Sequence, residues 1–182
     1  MPAGYAAAVN EAAAVPNDAA ARDAPDAASV TREEQLAKVP FFDGLTPEAL
    51  AMIANVTKEE VYPYGARLFQ YGDPGDKLYI ILEGKVRISR EVGGMGEEAL
   101  AVLGAGEVFG EMALLDESPR SAGALAHEKC RVLEITKDAF DDLLFLHKDL
   151  AYEVLWSCVR MLATRLRETN DKLTFLSTTG RF

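Results

Sequence analysis

The apolar positions of this chain follow different patterns in its first, middle and last parts. Residues 1–30 are Ala-rich with scattered Asp and Pro and show neither a helical nor a strand period, so we expect a disordered tail. Val61–Ile135 consists of short β-forming runs separated by glycines. Asp149–Leu176 contains no Gly or Pro, which favours one long helix. The chain therefore divides into a tail (1–30), a β-rich body with flanking helices (31–148) and a C-terminal helix (149–182).

Three further helices are predicted by the residues that begin them. Thr31 is followed three residues later by Glu34, which is the spacing of a capping box. Thr46 precedes a proline and a short apolar stretch, and Thr136 with Asp138 precedes another. These signals predict two short helices before the β-rich body and one directly after it.

The β-rich body contains six runs that are typical of strands. Glycines between them, such as Gly84 and Gly106, supply the positive φ that tight turns require. Short strands at regular spacing favour a small antiparallel barrel or sandwich. The predicted strands are Ala66–Tyr71, Lys77–Leu82, Lys85–Glu91, Ala99–Leu103, Ser121–Ala126 and Cys130–Ile135.

Charge and composition narrow the classes of function. The 29 acidic and 19 basic residues give a net charge of −10, which repels a phosphate backbone and disfavours specific DNA binding. Cys130, Cys158, His127 and His147 lack the spacing of metal ligands, so we expect no metal centre. No apolar run approaches the ~20 residues of a membrane span, and the first residues do not resemble a secretory signal. We therefore expect a cytoplasmic protein without membrane contact.

The segment from Phe109 to Ala122 carries the most informative chemistry. Gly110 allows a ligand to approach the backbone, and Glu111 begins a stretch that is compatible with a short helix. Backbone amides at a helix start favour an anion, and Arg120 offers a fixed fork of donors to a phosphodiester. A glutamate is of no use against phosphate, but it accepts hydrogen bonds from a sugar hydroxyl. The segment therefore predicts an anion site beside a ribose site.

This segment resembles the phosphate-binding cassette of the cyclic nucleotide-binding domain family. That family includes the regulatory subunits of protein kinase A, cyclic nucleotide-gated channels and the bacterial catabolite activators. The resemblance lies in Phe109–Glu111, Ala113–Leu114 and Pro119–Ala122, and it extends over roughly Val39–Leu176. It implies a mainly β fold, namely an antiparallel, jelly-roll-like β-roll with N-terminal helices and a long C-terminal helix that closes the pocket.

The resemblance also implies roles for individual residues. Glu111 would bind the ribose 2′-hydroxyl, Arg120 the cyclic phosphate, and backbone groups around Gly110, Ala113 and Ser121 would complete the cradle. The alternative is that Glu111 and Arg120 form an ordinary ion pair on a surface loop. The expected ligand-binding residues are Phe109, Gly110, Glu111, Met112, Ala113, Arg120, Ser121, Ala122, Ile88, Leu100, Ala101, Thr169 and Asn170.

The long helix has two apolar stripes. The first has the alternating spacing of a heptad seam, which is typical of two paired chains. The second runs from Ala151 to Met161 and is expected to pack on the β-rich body, with Cys158 as a small buried hydrophobe. The alternative is one wide core stripe in a monomer. The proposed homodimer seam consists of Leu155, Val159, Leu162, Leu166, Leu173 and Leu176.

Arg165–Lys172 resembles the dimer helix of the catabolite activators. Thr169 matches a threonine that reaches the adenine of cyclic AMP there, and Asn170 would reach the ligand of the partner chain. Because no helix-turn-helix, channel or kinase segment accompanies the domain, we expect a stand-alone receptor. It would bind cyclic AMP in preference to cyclic GMP, although the hydroxyl of Ser121 is compatible with both. It would hold no cofactor, catalyse no reaction, and signal to an effector protein by moving its C-terminal helices.

Four alternatives belong to other classes. One is a truncated transcription regulator of the catabolite activator type that acts on DNA through another chain. Another is a degenerate β-roll that serves as an interaction module without a ligand. A metal-dependent jelly-roll oxidase would share the fold but needs a cluster of His and carboxylate ligands. Gly104, Gly106 and Gly110 nearly form a dinucleotide fingerprint, but the third glycine is one residue late and no βαβ unit follows.

Overall fold

The computed structural model describes residues 30–93 and 96–179 of the chain. The predicted tail lies outside the described residues except for Val30, which is exposed. Five α-helices, α1 to α5, span Arg32–Leu36, Pro47–Asn55, Glu111–Asp116, Lys137–Leu146 and Lys148–Thr179, and a 3-10 turn spans Pro40–Phe42. Eight strands, β1 to β8, span Lys58–Tyr62, Arg67–Phe69, Lys77–Glu83, Val86–Val92, Gly96–Leu103, Val108–Phe109, Gly123–Ala126 and Cys130–Thr136.

The three predicted helix starts are confirmed by their caps. Thr31 Oγ1 accepts from the amide of Glu34, and the Thr31 amide donates to the Glu34 carboxylate, both at 3.2 Å. Thr46 and Thr136 cap α2 and α4 through their hydroxyls in the same way. Each cap satisfies an amide that the first helical turn leaves without a partner.

The strands form two four-stranded antiparallel sheets, in the orders β1-β8-β3-β6 and β2-β7-β4-β5. Each of the six predicted runs overlaps an observed strand, so the predicted β-roll with flanking helices is confirmed. The predicted β-rich body starts at Val61, within β1, and neither β1 nor β6 is among the predicted strands. β1 begins with three charged residues at a sheet edge, and β6 has only two residues, so neither produces a recognisable apolar run.

The first sheet is buried on both faces, which explains the continuous apolar run of β3. Leu78 and Ile80 pack outward against the helices, whereas Tyr79 and Ile81 point into the space between the sheets. The outer core also contains residues of the N-terminal helices, α4 and α5, including Phe42, Ile53, Phe140 and Val154. The β-roll and the first part of α5 therefore share one packed body.

α5 separates its two apolar stripes as the spacing predicts. Val154 and Cys158 are buried against the outer core, and Met161 packs beside them. The seam residues are exposed in the single chain, apart from the half-buried Leu162. The alternative of one wide core stripe is therefore wrong. The partner that would cover the seam stays a prediction.

Two further findings concern the described residues alone. No helix within 30–93 and 96–179 combines the length and apolar character needed to cross a membrane. Over the same ranges, no group of three or more His, Cys, Asp or Glu is placed to hold a metal ion, and His127 and His147 lie exposed on the surface.

Candidate functional site

The segment between β6 and β7 folds around one left-handed glycine. β6 ends at Phe109, Gly110 adopts φ +82°, and α3 begins at Glu111. A Cβ at Gly110 would lie 2.7 Å from Nη1 of Arg120 and 3.0 Å from the carbonyl oxygen of Lys77. Both the backbone angle and the lack of space therefore require glycine here.

Arg120 is buried, with 2% of its surface exposed. Its Nη1 donates to the carbonyl of Gly110 at 2.9 Å, and its Nη2 donates to the carbonyl of Lys77 at 2.8 Å. The Asp76 carboxylate lies 3.5 Å from Nη2 and is itself largely exposed. Within the part of the chain that the structure describes, the buried Nε of Arg120 has no hydrogen-bond partner. The guanidinium is thus held rigidly, with one donor unsatisfied.

An aromatic platform supports this guanidinium. Its central carbon lies 4.2 Å from the centroid of the Phe69 ring and 5.7 Å from that of Tyr79. Tyr79 stacks on Phe109 with centroids 4.9 Å apart and an interplanar angle of 11°. The electron-rich ring faces favour the cation and fix its plane. The side chain of Phe109 therefore contributes to the site as part of this support.

Glu111 does not pair with Arg120, so the alternative of an ordinary ion pair between them is wrong. Its carboxylate is buried and accepts from Nη1 of Arg165 at 2.7 Å, while Nη2 of Arg165 donates to the carbonyl of Val108. Arg165 belongs to α5, so this ion pair joins the long helix to the start of α3. This contact was not predicted from the sequence.

A signal for Arg165 was present in the sequence. Arg165 continues the spacing of the buried stripe, four residues after Met161 and seven after Cys158. A cation at the next position of a buried stripe needs an anionic partner on the body that the helix covers. Burial, followed by the charge of Glu111, raises the pKa of Cys158 to about 11, consistent with a small buried thiol beside this carboxylate.

Two connected clefts bring the predicted site residues together. The smaller is lined by Ile88, the predicted residues of 109–122, Phe69 and Arg165. The larger shares several of these residues and extends past Leu100 and Ala101 to Thr169 on α5. Asn170 lines neither cleft and is exposed. Its expected contact with the ligand of a partner chain stays a prediction.

Two predicted hydroxyl ligands are engaged locally in this structure. Ser121 is exposed at the cleft, and its Oγ lies 3.7 Å from the sulfur of Met112, which is a weak acceptor. Thr169 Oγ1 donates to the carbonyl of Arg165 at 2.8 Å, one helical turn earlier. Both hydroxyls therefore lie at the clefts and are free to accept a further hydrogen bond.

The loop before β3 packs directly on α3. A Cβ at Gly75 would lie 2.0 Å from the Cβ of Ala113 and 3.1 Å from its Cα, so a methyl group there must displace α3. We expect Gly75→Ala to lower stability by about 1 to 3 kcal/mol through overpacking, measured as a lower midpoint of thermal unfolding. Gly104→Ala is the control, since Gly104 has open space around it and no positive φ. Equal midpoints for the two variants would contradict the tight contact.

Comparisons with known proteins show which family the chain resembles in sequence. The family model described as "Cyclic nucleotide-binding domain" matches residues 59–147. The chain is 41% identical over 138 residues to the cyclic AMP receptor protein of Thermus thermophilus, a match that covers 76% of this chain and 62% of the relative. It is 34% identical over 112 residues to the cAMP-dependent protein kinase regulatory subunit of Colletotrichum orbiculare, covering 62% of this chain and 28% of the relative.

The solved structures that resemble this chain also include cyclic nucleotide-binding domains. A cyclic nucleotide-binding domain from Methylobacillus flagellatus aligns with a TM-score of 0.71 at 29% identity, covering 79% of this chain and 81% of that one. A cyclic nucleotide-binding-like protein from Brucella abortus aligns with a TM-score of 0.54 at 32% identity, covering 62% of this chain and 97% of that one. The chain spans about three fifths of the length of the first curated relatives that it matches. On sequence and fold together, it belongs to the cyclic nucleotide-binding domain family.

Proposed function

We propose that this chain is a cyclic nucleotide receptor that binds cyclic AMP in preference to cyclic GMP. The observation that carries the proposal is the guanidinium of Arg120, which is 2% exposed and has a buried Nε without a partner in the described residues. A buried cation with an unsatisfied donor favours an anionic ligand, because the ligand supplies both the missing acceptor and the opposite charge. The phosphodiester of a cyclic nucleotide provides one negative charge and the oxygens for this contact.

The rest of the ligand has complementary surfaces in the two clefts. Glu111 contacts Arg165 through Oε1, and a carboxylate has a second oxygen that can accept a ribose hydroxyl. Ile88 and Ala101 provide an apolar wall, and the larger cleft continues to α5 with room for a purine. Phosphate, sugar and base would thus occupy successive parts of one continuous cavity.

The preference for adenine is proposed from Thr169. This residue borders the larger cleft, and its hydroxyl can accept from the adenine amino group. To donate to the carbonyl of guanine, the same hydroxyl would have to give up its bond to the carbonyl of Arg165, so we expect adenine to be preferred by about 1 kcal/mol, the net value of one hydrogen bond. Matched relatives include a cyclic AMP receptor protein, which supports adenine, and also a cGMP-dependent protein kinase of Caenorhabditis briggsae.

The proposed output is a movement of α5. Arg165 joins α5 to Glu111 and to the carbonyl of Val108, so a ligand that contacts Glu111 changes the contacts of the helix directly. Two states of α5 would then have different affinities for the ligand, which is the requirement for a switch. In this proposal the chain regulates an effector protein or a second copy of itself and catalyses no reaction.

Calorimetric titration with cyclic AMP, cyclic GMP and cyclic di-GMP tests the proposal. We expect saturable binding of cyclic AMP, roughly fivefold weaker binding of cyclic GMP, and no binding of cyclic di-GMP. Trp156, the single tryptophan, lies on α5, so its fluorescence should change on binding. Absence of binding by all three would favour an interaction module without a ligand. A sequence-dependent shift of duplex DNA by this chain alone would favour a transcription regulator.

A further inference from the structure

A buried polar cluster lies inside the β-roll, outside the two clefts. Glu134 of β8 is 4% exposed, and both of its oxygens are engaged. The hydroxyl of Tyr62 donates to Oε1 at 2.5 Å, and Nζ of Lys77 donates to Oε2 at 2.8 Å. Burying a carboxylate costs free energy unless it is paired and hydrogen-bonded, and here both conditions are met.

One backbone group, the carbonyl of Lys77, connects this cluster to Arg120. Lys77 is the first residue of β3, and its carbonyl is the acceptor for Nη2 of Arg120. Pairing of β3 with β6 ends at Tyr79 and Phe109, so Arg120 bridges the carbonyls of Lys77 and Gly110 just where the ladder stops. The plane of the guanidinium therefore depends on where the first residue of β3 is held.

We infer that Glu134 is a positioning residue for Arg120, because its ion pair with Lys77 fixes the strand end whose carbonyl orients the guanidinium. The inference rests on the proposed function, in which this guanidinium binds the cyclic phosphate. Lys77 has a long flexible side chain, and the ion pair with a buried partner immobilises it at the strand end. Tyr62 holds the carboxylate from the other side.

The chemistry of Tyr62 is consistent with this arrangement. Burial, the hydrogen bond to Glu134 and its charge raise the pKa of Tyr62 well above the usual range of tyrosine. The hydroxyl therefore remains a donor to Glu134 across the pH range of binding measurements. Glu134 is thus constrained by two strands, β1 and β3, that flank β8 in the sheet.

The test compares Glu134→Gln with Glu59→Gln in the full chain. Glu59 also forms a cross-strand ion pair with an arginine of β8, Arg131, at 3.1 Å, and it does not contact Arg120. The first readout is the NMR signal of the Arg120 side chain without ligand, assigned by its loss in Arg120→Lys. We expect slow rotation about the Cζ–Nε bond in the wild type and in Glu59→Gln, and faster rotation in Glu134→Gln.

The second readout is the affinity for cyclic AMP. We expect Glu134→Gln to weaken binding roughly tenfold, the size of effect of one charge-assisted contact, and Glu59→Gln to leave it unchanged. In an Arg120→Lys background, Glu134→Gln should cause little further loss, since its effect passes through the guanidinium. If Glu134→Gln does not fold, the double variant Glu134→Gln with Lys77→Met removes the same ion pair without leaving either charge unpaired.

The outcomes separate this inference from the proposed function. A wild-type chain that binds no cyclic nucleotide defeats the proposed function, yet the rotation of the Arg120 side chain still decides whether Glu134 positions it. Two results would show that the cluster supports only stability. One is unchanged rotation of the Arg120 side chain in Glu134→Gln. The other is an equal loss of affinity for cyclic AMP on Glu134→Gln in the wild-type and Arg120→Lys backgrounds.

Discussion

Replacing Arg120 with alanine is expected to weaken the binding of cyclic AMP by about 2 to 5 kcal/mol. The variant removes a buried cation that lines the smaller cleft, and it leaves the expected phosphate without its partner. Arg120→Lys should recover part of the loss, because an ammonium keeps the charge but cannot bridge the carbonyls of Lys77 and Gly110 as a guanidinium does. Calorimetry of the purified variants measures both effects.

Arg90 offers a matched control for this experiment. Its guanidinium also lies over an aromatic ring, 4.5 Å from the centroid of Tyr71, but it is exposed and lines neither cleft. Arg90→Ala should bind cyclic AMP like the wild type. An unchanged affinity in Arg120→Ala, in a variant whose thermal unfolding remains cooperative, would contradict the assignment of Arg120 to the phosphate.

Features set by neighbouring residues were predictable from the sequence. The caps at Thr31, Thr46 and Thr136 depend on residues within one helical turn, so their spacing is visible in the sequence. The fold followed from six such local runs and the resemblance of one segment. β1 could not be predicted in the same way, since its charged residues become ordered only by pairing with β8, far along the chain.

The candidate site shows the same difference between features set by neighbouring residues and features set by distant ones. Phe109 to Ala122 is one continuous segment, so its resemblance to the family's cassette was visible in the sequence and implied residues that do line the cleft. The contact of Glu111 with Arg165, and that of Lys77 with Glu134, join residues more than fifty positions apart. Such pairs depend on strand register and on where α5 crosses the body, which one sequence does not specify. The long-range contacts that support a site are therefore harder to predict than the residues that line its cleft.

The seam of α5 is expected to pair two chains, and this can be tested at the level of assembly. Leu155, Val159, Leu166, Leu173 and Leu176 are between 45% and 64% exposed in the single chain, an apolar stripe that a second copy of the same helix would cover. Leu162→Glu combined with Leu166→Glu places charge in the seam and should convert a dimer to a monomer in sedimentation velocity. Val61→Glu combined with Tyr64→Glu adds the same charge to exposed positions of the roll and should leave the dimer intact.

Thr169 connects this assembly to the choice of base. It occupies the seam spacing between Leu166 and Leu173 and also borders the larger cleft. Thr169→Ala should therefore leave the sedimentation of the dimer unchanged while it narrows the difference in affinity between cyclic AMP and cyclic GMP by about 1 kcal/mol.

A wild-type chain that sediments as a monomer with and without cyclic AMP would refute the pairing of the seam. The expected role of Asn170 would fail with it, because that role requires the nucleotide of a partner chain. A Thr169→Ala variant with the full preference for cyclic AMP would instead place base recognition elsewhere in the cleft, on residues of the β-roll that the seam does not touch.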